Sequence, residues 1–66
     1  MRIHVEEQAD ALYLRLSEST VVESEEVQPG VVLDFDEDGR GVGIEILRMK
    51  ELVPQSDLKR IQVEFA

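Results

Sequence analysis

The sequence predicts a small α+β domain that is mostly β: an antiparallel β-meander of five strands, with room for a sixth at the C-terminus, and one short C-terminal helix. Three observations carry that expectation. Apolar and polar residues alternate at period two in a series of short runs, the signature of half-buried strands. Turn-forming residues, above all Pro29-Gly30 and Asp38-Gly39, separate those runs. After Leu47 the alternation stops, and Arg48 to Val53 reads as a short helix that Pro54 ends.

Taken in order, Ile3 and Val5 alternate with Arg2, His4 and Glu6 to give the first strand, and Glu7 to Asp10 make a polar turn. Ala11 to Ser17 is the second strand, with Leu12, Leu14 and Leu16 on one face and Ala11, Tyr13 and Arg15 on the other. Glu18-Ser19-Thr20 turns the chain again. Thr20 to Val27 is β-branched but carries Glu23, Glu25 and Glu26, and charge of this kind guards an exposed edge strand. Gln28-Pro29-Gly30 suits a type II turn, with Pro presetting φ and Gly accepting a positive φ. Val31 to Phe35 and Val42 to Ile46 are the strongest strands. Beyond Pro54, Gln55 to Arg60 is compatible with a second helical turn, and Ile61, Val63 and Phe65 alternate with Gln62 and Glu64 as a terminal sixth strand would.

The chain of 66 residues makes a single domain, 1–66, and a domain of this size is marginal: it buries only roughly 60% of the surface that its unfolded chain exposes. With no cysteine, neither disulfides nor thiolate metal sites are available to support it, and association is the remaining route. Fifteen Asp and Glu against seven Lys and Arg give a net charge of −8. That field repels phosphates and anionic lipid and favours basic partners, so neither nucleic acid nor a membrane is expected as a partner. The N-terminus alternates from its first residues, unlike a signal peptide, and no apolar run approaches bilayer length, so a cytoplasmic location is expected.

Asp34, Asp36, Asp38, Gly39 and Glu45 satisfy the spacing of a calcium-binding EF-hand loop. The flanks argue against it. An EF-hand loop joins two helices, whereas Val31-Val32-Leu33 and Val42-Gly43-Ile44 are strand-like. A two-residue hairpin turn at Asp38-Gly39 accounts for the same residues. It sets Glu37 opposite Arg40, Phe35 opposite Val42, Leu33 opposite Ile44 and Val31 opposite Ile46. On the other face Val32, Asp34 and Asp36 stand opposite Glu45, Gly43 and Gly41, with the glycines relieving crowding or admitting a ring such as that of Tyr13. The calcium pattern is then a decoy, and no metal or cofactor is expected. That mixed face of Val32, Asp34, Asp36, Gly41, Gly43 and Glu45 is the candidate interaction surface.

No catalytic constellation is visible. His4 is the one histidine and lies on the polar side of the first strand, and Ser17, Ser19, Ser24 and Ser56 have no histidine placed to activate them. The expectation is a non-enzyme, the exception being a cleft built by a dimer.

Ala9 to Ser17, Glu25 to Asp36, Gly39 and Val42 to Leu47 together resemble the domain of unknown function family numbered 2283, small bacterial and archaeal proteins, over about residues 1 to 53. The resemblance implies a compact β-meander with a short C-terminal helix, and marks Asp10, Tyr13, Gly30, Asp34, Gly39, Gly43 and Glu45 as parts of the family pattern. It supplies no catalytic residue. The neighbourhood of some members to small toxin-like proteins suggests an antitoxin role. Arg48-Met49-Lys50 departs from the usual small, polar helix start, which leaves the docking of this helix open.

Three functional expectations follow. The first is a protein-interaction module, as a homodimer or with another partner. The second is an antitoxin-like neutraliser of a small basic protein, using Glu23, Glu25, Glu26, Asp34, Asp36 and Glu45. The third is a metal- or ligand-binding protein with a site at a dimer interface walled by Asp34, Asp36 and Glu45.

Overall fold

A computed structural model describes residues 1–66. The predicted strands appear as β1 (Arg2–Glu6), β2 (Ala11–Arg15), β3 (Glu23–Gln28), β4 (Val31–Phe35) and β5 (Gly41–Ile46), followed by the one-turn helix α1 (Met49–Leu52). All five strands lie antiparallel in one sheet in the order β1-β2-β5-β4-β3. The sheet is thus a β1–β2 hairpin joined edgewise to a β3–β4–β5 meander. The joint is apolar on one face: Leu12 stands opposite Ile46 and Leu14 opposite Ile44. Those rows run on to Val31 and Leu33 in one direction and to Val5 and Ile3 in the other. β3 occupies an edge, as its charge predicts, although it begins at Glu23 rather than Thr20.

The central hairpin keeps most of its expected register and changes its turn. Val31 opposes Ile46, Val32 opposes Glu45, Leu33 opposes Ile44 and Asp34 opposes Gly43, as anticipated. Nearer the tip, Phe35 pairs with Gly41 instead of Val42. The Asp36 N–H donates to the Arg40 carbonyl at 2.9 Å and the Gly39 N–H to the Asp36 carbonyl at 3.0 Å. The loop is therefore Glu37-Asp38-Gly39, with Gly39 at φ 77°, and not the two-residue Asp38-Gly39 turn. Asp36 is the cause. Its Oδ1 accepts the N–H groups of both Asp38 and Arg40 at 3.0 Å and fixes the turn around itself. The longer loop removes one residue from pairing and the bulge at Val42 restores it, so the register deeper in the sheet is the one a two-residue turn would give. Glu37 consequently has no place opposite Arg40, and Gly41 none opposite Asp36.

The bulge also makes the centre of the fold. Val42 has no exposed surface and is the only buried apolar residue; its carbonyl accepts the N–H groups of Leu16 and Ser17 at 2.7 and 3.2 Å.

The far end of the sheet is closed by α1. Arg48 precedes it at φ 52° with no side-chain cap. The cap comes instead from the β1–β2 turn: Asp10, itself at φ 54°, accepts the Lys50 N–H on Oδ2 at 2.8 Å and the Met49 N–H on its carbonyl at 2.9 Å. Because only backbone amides are used, the unusual Arg48-Met49-Lys50 start does not disturb docking.

Past the helix two expectations fail. Gln55 to Arg60 holds isolated turns, closed by Ser56 N–H to Val53 carbonyl and Arg60 N–H to Asp57 carbonyl, each at 2.9 Å, rather than a second helix. Ile61, Val63 and Phe65 form no sixth strand and are exposed, Phe65 to 92%. Alternation makes a strand only where a ladder partner is within reach, and these residues make no backbone hydrogen bond to the sheet.

Candidate functional site

The polar face of the sheet collects the chemistry. Two cross-strand rows run over it: His4, Tyr13, Glu45, Val32 and Glu26, and beside them Arg2, Arg15, Gly43, Asp34 and Ser24. Asp34 is only 3% exposed, and the Ser24 hydroxyl donates to its Oδ1 at 2.5 Å. That partnership depends on a second bulge. A strict register across the Pro29-Gly30 turn would set Glu25 opposite Asp34, two like charges; the extra residue between Glu26 and Gln28 brings Ser24 there instead.

Gly43, opposite Asp34, is also buried, and the space above it belongs to Tyr13. A Cβ at Gly43 would stand 2.5 Å from the Tyr13 hydroxyl and 2.7 Å from two ring carbons. The Arg15 guanidinium donates to the Tyr13 hydroxyl at 3.3 Å and, at 2.6 Å each, to the carbonyls of Ser17 and Ser19. It thereby ties the loop that crosses from β2 to β3 onto the sheet.

Next to this buried centre is an open concavity of about 450 Å³ lined by Tyr13, Ser24, Asp34 and Glu45 together with apolar side chains that include Val21 and Leu47. The Glu45 carboxyl is held above the usual carboxylate range. A hydrogen bond to Asp34 favours its protonated form, and desolvation and the Asp34 charge act in the same direction.

The candidate interaction face is therefore narrower than the sequence suggested. Val32, Asp36 and Glu45 are half-buried, Asp34 and Gly43 are covered, and Gly41 is exposed, with open space where a Cβ would stand. The acids of the calcium pattern serve separate purposes: Asp34 and Glu45 on strands, Asp36 closing the turn and Asp38 exposed at its tip. No group of three His, Asp or Glu is placed to hold a metal ion. Missing from the sequence reading were Ser24 and Arg15, which enter through bulge and loop geometry, and the cap from Asp10 to residues some forty positions away. Tyr13 over Gly43 is one of the several roles open to that glycine in the sequence.

A family model described as "Protein of unknown function (DUF2283)" matches residues 2–50 of the chain. The chain belongs to the DUF2283 family. The match takes in all five strands and ends at Lys50, whose amide the Asp10 carboxylate caps, so this DUF2283 unit runs from the first edge strand to the docked helix start. No curated protein and no solved structure matches it. No helix is long and apolar enough to cross a membrane.

Proposed function

We propose that this DUF2283 domain is a protein-interaction module that works as a homodimer. The observation that supports it is the poverty of its own interior: 4 of 66 residues are buried, and Val42 is the only apolar one among them. Domains are normally built from at least two packed layers around one core. Here a single sheet keeps both edges open, with Ile3, Val22 and Val27 about half exposed or more. A second copy adds the buried area that one chain lacks. Light scattering on the purified chain from low micromolar concentration upward is expected to give twice the monomer mass; a folded monomer at every concentration overturns the reading.

A second reading has its own support. Every residue of β3 is exposed, and Glu23, Glu25 and Glu26 stand on it without a cation, so this edge suits a small basic partner such as a toxin-like protein encoded nearby. Binding to such a protein should weaken steeply with added salt and with Glu23, Glu25 and Glu26 changed to Gln. Binding unaffected by either sinks this alternative.

A further inference from the structure

We infer that two copies of the chain join through their β1 edges, in antiparallel register about a two-fold axis at His4, to make one ten-stranded sheet; this rests on the homodimer reading above. β1 is an edge strand, and four of its five residues are exposed. Its sequence, Arg2-Ile3-His4-Val5-Glu6, is complementary to itself when reversed. Centred on His4, Arg2 of one copy meets Glu6 of the other, Ile3 meets Val5, and each of these contacts occurs twice. A two-fold interface requires this kind of self-complementarity.

Both faces of the joined sheet agree with the register. Within a copy, Ile3 pairs with Leu14 and Val5 with Leu12, on the apolar side. The inter-copy contacts of Ile3 and Val5 continue those apolar rows without a polar interruption, and they cover the flank of Ile3 that is 48% exposed in one copy. A shift of one residue would set each apolar side chain against a polar one. Arg2, His4 and Glu6 stay together on the polar side. Their single-chain partners are exposed and easily exchanged: Arg2 reaches Glu18 at 3.1 Å, and His4 reaches Glu6 at 2.7 Å.

The opposite edge cannot do the same. Pairing β3 with itself about Glu25 puts Glu25 against Glu25 and Ser24 against Glu26, and the bulge between Glu26 and Gln28 interrupts the ladder. With each copy carrying −8, approach is favoured where the edge is neutral, and β1 balances Arg2 against Glu6 while β3 carries three Glu and no cation.

Charge exchange tests the register by sedimentation or light scattering. Arg2→Glu alone and Glu6→Arg alone should each weaken dimerisation by roughly tenfold or more, since two attractive pairs become repulsive. Mixing the two variants should restore a dimer, now mixed, because Glu at position 2 then meets Arg at position 6 and Arg meets Glu. The double variant should also dimerise, and Glu18→Gln should leave dimerisation unchanged. A dimer that ignores both single exchanges refutes the β1 pairing while the homodimer reading stands, and shifts the interface to another part of the sheet. A wild-type monomer at all concentrations refutes both.

Discussion

The ring of Tyr13 occupies the place that a side chain at position 43 would take, so that residues on adjacent strands β2 and β5 share one volume above the sheet. Gly43→Ala forces a methyl group to 2.5 Å from the Tyr13 hydroxyl. The ring must move, which disturbs its contact with Arg15, and the expected cost is about 1–3 kcal/mol. Urea unfolding should show it. In a Tyr13→Ala background the same substitution should cost far less, and equal costs in the two backgrounds would refute the shared volume.

Asp10 caps a helix that it does not belong to. Asp10→Ala leaves the Lys50 amide without its carboxylate acceptor, while Met49 keeps the backbone carbonyl, and it places a residue less suited to φ 54° in the turn. A loss of about 1 kcal/mol is expected. Asp10→Asn, which can still accept a hydrogen bond and tolerates this conformation, should lose less. Amide exchange at Lys50 is the direct readout, and it should speed up in the alanine variant before global unfolding does.

The turn itself is decided by Asp36. Its carboxylate holds the N–H groups of Asp38 and Arg40, so Asp36→Ala should destabilise by about 1 kcal/mol. Asp38 has an ordinary negative φ and exposes its side chain, and Asp38→Ala should stay within about 0.5 kcal/mol of wild type. A two-residue Asp38-Gly39 turn would require positive φ at Asp38 and would reverse the order of these effects.

Glu45 makes stability fall as pH rises. Its pKa is raised in the folded protein, so the native state keeps a proton that the unfolded chain releases from about pH 4.5 upward. The stabilisation is complete below that value and is lost as pH climbs to the folded pKa. Glu45→Gln retains a donor toward Asp34 at every pH. Compared with wild type, it should gain relative stability as the pH rises above about 4.5. Urea midpoints measured across that range check the sign, and a variant whose advantage shrinks as pH rises would contradict it.

The sequence by itself determined much of this protein. Period-two alternation and β-branched runs between turn residues located the five strands, β3 with its start three residues early, Pro54 marked the end of the helical segment, and the glutamates of β3 assigned that strand to an edge. These are local signals: alternation reports one buried face, and turn residues report backbone geometry within a few positions. Even the register between β4 and β5 was legible from the pairing of Val31, Leu33, Ile44 and Ile46.

Only the tertiary structure decided where one extra residue goes. The bulges at Val42 and between Glu26 and Gln28 set which side chains meet, giving Val42 its burial and Ser24 its contact with Asp34. A bulge costs little locally and is chosen by what it allows across the sheet, so the sequence of one strand does not announce it. The same holds for the pairing of β2 with β5, for Asp10 beneath the helix and for the unpaired C-terminus, each settled by which partners the folded chain brings within hydrogen-bonding distance.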